Sequence, residues 1–478
     1  MPLAAHETIY EVFREHAHRS PERLMMSCDH GTINAVRLLE RVDTLAAYLR
    51  SATGRAGVAY VGRDERDYLT VVLACSKAGA LLVVGVGDRR LLRQATDDCV
   101  GLTLLHSGDE APPHGAPGSP WVSLQEVERG SAPRPSAGPA VPDDVWCVLY
   151  TSGTTGAPLG VMTTEASYLI NADDMTRALG LNDCDSFVVR SPLDVSYGLS
   201  LGLVLPLVLG VSIRVTRAIH PRAVLRAVAE SDRPAVVGTP TVYRELTTFQ
   251  EELRTAAAHA APCWFSSGDV LPAEVHERFA GLGIPLCDCY GSTETNGIGI
   301  ANGASERSFQ RLPSVQIRLD EASGEPGAME GQLLVRGPKV MRGYYGQGVI
   351  QAQHRELPGG WIRTLDWVRR NGCDRFRLLG RDASLIKVGG KRVHAEEVER
   401  ALERIPGVTC AVAYGLADPL HGEVLAALIQ PEGGQAPCAA DIRRRLSVEL
   451  PAHMIPRRIA TADDLSTAVG KKRRDRAH

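Results

Sequence analysis

The chain has 478 residues, 44% of them apolar, and a formal net charge of −3. That length exceeds one domain of ~150 residues and can bury a large core, while the near-neutral charge excludes the basic surface that a nucleic-acid partner requires. Eleven scattered cysteines without a Cys-x-x-Cys pair point to reduced thiols in a cytoplasmic protein rather than a disulfide framework or a zinc motif.

The N-terminus carries no basic stretch followed by an apolar one, so no signal peptide is expected. Residues 7–53 hold amphipathic helical patterns, at Ile9 to His16 and Leu38 to Leu49, with His16 and His18 expected on a solvated face. A βα rhythm follows: strands at Gly57–Val61, Ala80–Gly85 and Leu102–His106, and a helix at Tyr68–Ala78. Such alternation predicts a mostly parallel sheet flanked by helices, an α/β fold. Residues 109–143, rich in Pro, Gly, Ala and Ser, read as a surface connection. The apolar run Tyr197–Val215 approaches membrane-spanning length, but Gly198, Ser200, Gly202, Pro206 and Gly210 interrupt it. It reads as a buried helix followed by a strand, with no membrane segment. A second βα series runs from Phe187 to Cys289, where Cys287 and Cys289 share one strand face as core residues. A β-rich section comes next. Near residue 380 a compact α+β unit begins, with a helix at Ala395–Glu403, strands at Val408–Tyr414 and Ala426–Ile429, and a helix at Cys438–Leu450.

The chemistry concentrates in Leu149-Tyr-Thr-Ser-Gly-Thr-Thr-Gly-Ala-Pro-Leu-Gly-Val161. A buried strand, Val145–Tyr150, leads into Thr151, Ser152, Gly153, Thr154, Thr155 and Gly156. The two glycines allow a tight turn and close approach to a ligand. The hydroxyls and successive backbone N–H groups form a concavity for anionic oxygens, a phosphate cradle. It is not the P-loop that ends in Gly-Lys-Ser/Thr, because no lysine follows Gly156. The whole string resembles the signature of the adenylate-forming superfamily, which includes acyl-CoA synthetases, peptide-synthetase adenylation domains and luciferases. One departure is Leu159, where that family has lysine.

The resemblance extends through further motifs in family order. In Asp288-Cys-Tyr-Gly-Ser-Thr-Glu-Thr295 it implies that Tyr290 stacks on adenine, with Gly291 and Ser292 beside it. Thr293 is implied to contact phosphate and Glu294 to hold Mg²⁺; a hard carboxylate suits a hard cation. Gly331 to Tyr344 resembles a packing motif. Asp366, in Gly360-Trp-Ile-Arg-Thr-Leu-Asp366, matches the carboxylate that accepts from the ribose hydroxyls, with Leu365 in place of glycine. Arg381 matches the ribose- and phosphate-contacting arginine, while Ala383 stands where a charged hinge residue is usual. Gly389-Gly390 matches the place where a pantetheine arm passes, and His394 is expected at the surface. Lys471, in Ser466-Thr-Ala-Val-Gly-Lys471, matches the lysine that contacts the acid and the α-phosphate.

The resemblance implies a large N-terminal domain, 1–381, which binds ATP and substrate in mostly parallel sheets plus a β-rich section. A small mobile α+β domain, 382–478, carries the catalytic lysine. The implied reaction is attack of an acid on MgATP, release of pyrophosphate, and transfer of the acyl group from AMP to CoA or a carrier-protein thiol. Substrate candidates are Asp194, Val195 and Ser196, with Gly268 and Asp269. Aligned without a gap, Asp194 and Val195 replace a Phe-His pair of acyl-CoA synthetases. Shifted by one, Leu193-Asp-Val-Ser196 resembles the motif whose aspartate grips an amino acid's amine. Glu165 stands where relatives often have histidine. Three readings stay open: activation of a small carboxylic acid, aryl or amino-substituted; AMP activation of nitrite for N–N bond formation on an amine; and a degenerate nucleotide-binding homologue.

Overall fold

The computed structural model describes residues 8–465 apart from 88, 100, 109–118, 139–140, 152–158, 217–219, 261–262, 270, 303–307, 321–328, 347–354, 382–384, 389–390, 419–421, 433–436 and 463–464. The fold is mixed α/β, in two compact units. One comprises Met1–Ile317 with Val335–Ile362, the other Arg318–Leu334 with Arg363–His478.

The larger unit holds two sheets. In one, the spatial order is Ser308–Arg311, Asn296–Asn302, Leu286–Ser292, Cys263–Ser266, Pro234–Gly238, Ser186–Arg190, Ser212–Val215, Leu24–Cys28 and Gly31–Asn34. From Leu286–Ser292 to Leu24–Cys28 the neighbours run parallel; both margins turn antiparallel. In the other, the order is Gly343–Tyr345, Leu159–Thr164, Val145–Thr151, Leu81–Val84, Gly57–Tyr60, Thr103–His106 and Trp121–Ser123. Central strands such as Leu81–Val84 and Pro234–Gly238 are buried at every position. That is why they read as apolar runs rather than alternating ones: helices cover both faces of a parallel sheet.

Packing beneath the first sheet centres on Tyr243, Trp264 and Phe279, whose rings meet edge to face at 5.6–6.3 Å. The Tyr243 hydroxyl reaches the carbonyl oxygens of Val236 at 2.9 Å and Phe265 at 2.7 Å, so its polar end is satisfied in the core. Truncating one of these rings to alanine costs about 3–5 kcal/mol.

Two readings of the sequence change in the larger unit. The stretch 109–143 contains a strand, Trp121–Ser123, and a helix, Leu124–Glu128, capped by Ser123 and Glu126; its loop-like composition concealed an edge strand. His16 is not on a solvated face: its Nε2 lies 3.0 Å from the Val208 carbonyl oxygen. Glu165, half-buried where relatives often have histidine, accepts from the Ile9 amide at 2.7 Å and from the Ser76 hydroxyl, and so joins the helices Ile9–Arg19, Glu65–Ala78 and Glu165–Leu179.

The Tyr197–Val215 run forms Gly198–Val204, wound as a seven-residue π-helix, then the α-turns Leu205–Leu209 and the strand Ser212–Val215. Among the described residues no helix is long and apolar enough to cross a membrane.

The smaller unit contains the antiparallel pair Trp361–Arg370 and Arg375–Arg381. The hairpin Leu385–Val388 and Lys391–His394 comes next, then the helix Ala395–Glu403. Strand Gly422–Pro431 pairs antiparallel with Val408–Asp418 and parallel with Arg458–Thr461. Helix Ala439–Glu449 lends Ile442 and Leu446 to the core beside Val398 and Leu402. His394 is buried, not superficial, with its ring 5.4 Å from that of Trp367; burial pushes its pKa down.

Candidate active site

The strand Val145–Thr151 is buried until its last residue, Thr151, where the chain leaves the sheet. Ser152, Gly153, Thr154, Thr155 and Gly156 lie outside the described residues, as do Ala383, Gly389, Gly390 and Lys471. The chain returns as Leu159–Thr164, with Leu159 opposite Thr151. Leu159 is buried in an apolar cluster with Val161, Met341, Tyr344 and Ile362. The departure from lysine at this position is therefore a packing residue.

Strand Leu286–Ser292 ends in a tight connection to Asn296–Asn302, with a bulge between Tyr290 and Gly291. A Cβ on Gly291 would stand 2.1 Å from the Asn296 carbonyl oxygen, so only glycine fits the bulge. Asn296 itself has φ 55°, a conformation asparagine tolerates better than most residues. The half-buried Tyr290 ring lies 5.4 Å from Phe309. Ser292 and Thr293 are half-buried in the turn, and the Ser292 amide donates to Thr295 Oγ1 at 3.2 Å.

Glu294 is buried at 7% exposure. The Tyr344 hydroxyl donates to its Oε1 at 3.1 Å, and the Arg355 guanidinium pairs with the same oxygen. Burial is the largest influence and opposes ionisation. The Arg355 charge, with hydrogen bonds from Ser292 and Tyr344, outweighs it and holds the carboxyl below its ordinary range. The site thus carries a desolvated, ionised carboxylate.

Behind this turn lies a second polar centre. Lys339, wholly buried, donates to Asp174 Oδ2 at 2.6 Å and to Asn171 Oδ1 at 3.1 Å. The Gly297 amide donates to the same Asn171 oxygen at 3.1 Å, and Asn171 Nδ2 donates to Ser200 Oγ at 2.9 Å. Asp174 also accepts from the Ser314 amide at 3.2 Å and from its hydroxyl. Asn296 Nδ2 donates to the Lys339 carbonyl at 3.1 Å, and the Met341 amide to the Glu294 carbonyl at 2.8 Å. Backbone and side chains therefore tie the Glu294 turn to the motif around Lys339.

Asp194, Val195 and Ser196 are half-buried at the approach to the π-helix. A Cβ on Gly87 would stand 2.8 Å from Asp194 Oδ2, and one on Gly268 2.7 Å from the Tyr197 ring. Burial first, then the Asp194 charge, pushes the Tyr68 phenol well up. Gly268 and Asp269 are exposed.

In the smaller unit Asp366 is buried and opposite Arg381 in register, and Arg381 Nε donates to its Oδ1 at 3.0 Å. Leu365 has φ 66°, so the chain keeps the left-handed turn that a glycine would adopt freely. The Asp366 amide donates to Thr364 Oγ1 at 3.1 Å.

Residues 13–345 match the model of the family described as AMP-binding enzyme, and residues 397–471 that of its C-terminal domain. The chain belongs to the AMP-binding enzyme family. It is 29% identical to a feruloyl-CoA synthase of Amycolatopsis sp, over 94% of both chains. It is 27% identical to an indoleacetate–CoA ligase of Aromatoleum aromaticum, over 96% of this chain and 95% of that one. The fold matches ATP-bound MatB from Rhodopseudomonas palustris with a TM-score of 0.82 at 21% identity, covering 96% of this chain and 95% of that one. The chain is accordingly an enzyme, an AMP-forming ligase, in a family whose curated relatives include acyl-CoA ligases.

Sequence reasoning treated the Gly331–Tyr344 motif as packing and so passed over Tyr344 and Lys339. The signal was partial: a lysine and a tyrosine hydroxyl enclosed within a packing motif need buried partners. Arg355 had no such signal.

Proposed function

We propose that this AMP-binding enzyme activates a small aryl or amino-substituted carboxylic acid as its acyl-AMP, releases pyrophosphate, and passes the acyl group to the thiol of CoA or of a carrier protein in the cytoplasm. The observation that carries the reading is the buried, ionised Glu294 at the carboxyl end of a sheet strand, where open α/β sheets take their ligands. A single carboxylate held ionised fits Mg²⁺, a hard cation that is bound through one or two carboxylates plus phosphate oxygens. The cation would exchange for the Arg355 guanidinium at Glu294 and, once bound, neutralise phosphate charge.

The roles of the chain's own groups follow. The Thr151–Gly156 loop cradles phosphates with its amides and hydroxyls. Tyr290, propped on Phe309, offers its ring to adenine, flanked by Gly291 and Ser292. Thr293 donates to phosphate, and Asp366 accepts from the ribose hydroxyls beside Arg381. Lys471 neutralises charge on the acid and at the reacting phosphorus. The 382–478 segment brings Lys471 in and withdraws it for thiol transfer, a hinge-type switch about residues 381–383. Leu159 lowers ATP affinity without abolishing activity, since the backbone cradle remains.

Asp194 supports an amino-bearing acid, because a half-buried carboxylate offers an ammonium a counter-charge. The aryl preference rests on the feruloyl- and indoleacetate-specific names of the relatives. A second reading, nitrite activation, draws on the altered acid pocket, where Asp194 and Val195 stand in place of the Phe-His pair of acyl-CoA synthetases. The test is Mg²⁺-dependent pyrophosphate release from ATP across aryl, amino and aliphatic acids, and nitrite with an amine. Release with an aryl or amino acid, lost in Lys471→Ala, is the expected result. Release with nitrite alone would replace the first reading by the second. Silence with every substrate, ATP binding intact, would leave a degenerate nucleotide-binding homologue.

A further inference from the structure

The chain holds a second group of chemically suitable ligands at the first sheet's margin, where Leu24–Cys28 turns into the edge strand Gly31–Asn34. Cys28 ends that strand, His30 occupies the turn before Gly31–Asn34, and Asp64 and Glu65 open the helix Glu65–Ala78. One ligand atom from each, a thiol sulfur, an imidazole nitrogen and two carboxylate oxygens, lies within 4.8 Å of all the others. We propose that Cys28, His30, Asp64 and Glu65 form a binding site for a thiophilic divalent cation of the Zn²⁺ class, which clamps the N-terminal hairpin to this helix.

The donor set selects the metal. One sulfur, one imidazole nitrogen and two carboxylate oxygens suit Zn²⁺ and its neighbours better than Mg²⁺ or Ca²⁺, which take oxygen alone. The spacing agrees. His30 Nδ1 stands 3.3 Å from Glu65 Oε2, longer than the ~2.7–2.9 Å of a charge-assisted hydrogen bond. It equals the edge of a tetrahedron with bonds of about 2.0–2.1 Å. The widest separation must contract by about 1 Å, since a sulfur–oxygen edge at a zinc is about 3.5 Å. The exposed His30 and half-buried Cys28 side chains can supply that movement.

The surroundings supply orientation. Arg66 Nε and Nη2 donate to Asp64 at 3.0 and 2.7 Å, and the Arg66 amide donates to Asp64 Oδ1 at 2.9 Å, fixing that carboxylate. The guanidinium offsets one of the two carboxylate charges. Binding forms one metal–sulfur bond and releases the thiol proton to solvent, with no change of oxidation state. The half-exposed His30 opens the entry path, with 40% of its side chain accessible.

The test is Zn²⁺ and Co²⁺ titration of the full chain after chelator treatment, with metal content measured after desalting. One equivalent is expected, and the Co²⁺ complex should show a thiolate-to-metal charge-transfer band. Cys28→Ser should abolish that band, and His30→Ala should weaken uptake by more than tenfold while leaving ATP binding unchanged. Cys373→Ser/Cys438→Ser, which removes two exposed thiols elsewhere, should keep both uptake and band. His30 being exposed, its variant is expected to fold even where Cys28→Ser does not. No uptake, or uptake indifferent to both the Cys28 and His30 changes, would overturn the site.

Discussion

Two buried ion pairs lie in the larger unit, linked through the Asn296–Lys339 and Met341–Glu294 hydrogen bonds. Lys339 pairs with Asp174, at side-chain exposures of 0% and 5%; Glu294 pairs with Arg355, at 9% and 13%. Their surroundings differ more than their exposures. Lys339 is enclosed by short side chains fixed on a helix, and burial, the largest influence, pushes its pKa down to about 8 despite Asp174. Glu294 is held ionised by Arg355, a long side chain from a separate segment of the chain. Enclosure makes the first pair a scaffold; under the proposed function, the second is where Mg²⁺ would enter.

The largest expected effect comes from breaking the enclosed pair. Asp174→Ala leaves an uncompensated ammonium in the core and should cost about 3–5 kcal/mol in denaturant unfolding. A Lys339→Met/Asp174→Leu variant should recover more than half of that loss, because it removes both charges together. If the double variant were as unstable as the single, the network rather than the pair would be what holds the turn.

Glu294→Gln should act on catalysis instead. It keeps the shape and loses the charge, and adenylation measured by pyrophosphate exchange should fall about 100-fold, with folding preserved. An unchanged rate would move the cation site away from this carboxylate.

A pH series separates the two centres further. The unfolded chain keeps the Lys339 proton to about 10.5, while the folded chain releases it near 8. Between these values the unfolded state binds more protons, so stability rises with pH. Wild type should therefore gain on Lys339→Met by up to about 1.4 kcal/mol per pH unit from pH 8 to 10.5, read as the difference between their unfolding curves. Glu294 has the opposite origin. Its carboxyl is held down, so its stabilisation is complete above the ordinary value of 4.5 and is lost as pH falls below it. The smallest effect is expected at Leu365→Gly. Relief of a left-handed leucine is worth ~1–2 kcal/mol, but added chain entropy and lost packing oppose it. The net change in melting should stay below about 1 kcal/mol.

The sequence made the α/β rhythm legible because parallel strands buried on both faces are continuous apolar runs, as at Leu81–Val84 and Pro234–Gly238. It also marked Tyr290 to Glu294, where a glycine turn ends such a strand. It could not reveal that Arg355, far along the chain, pairs with Glu294, nor that Glu165 joins three helices. Those are long-range pairings of charged residues, and charge carries no periodicity that names its partner. His394 was misread for a related reason: a lone histidine in a polar stretch says nothing of the Trp367 ring that covers it. Leu365 kept a glycine's conformation without being one, which no local propensity predicts.

The π-helix Gly198–Val204 bears on how this family's pockets diverge. A wide turn is what remains when a helix absorbs an additional residue without unravelling. Gly198 makes this possible here, since any Cβ would collide with the Pro192 carbonyl oxygen at 1.9 Å. Immediately before it, the Asp194–Ser196 segment can be matched to relatives either in step or one residue out of step. An element that tolerates a one-residue length change lets an insertion present a new side chain to the ligand without altering the helix beyond it. Substrate preference can then drift through gaps as readily as through substitutions, and ungapped comparison of relatives across this stretch will pair residues that never occupied the same place.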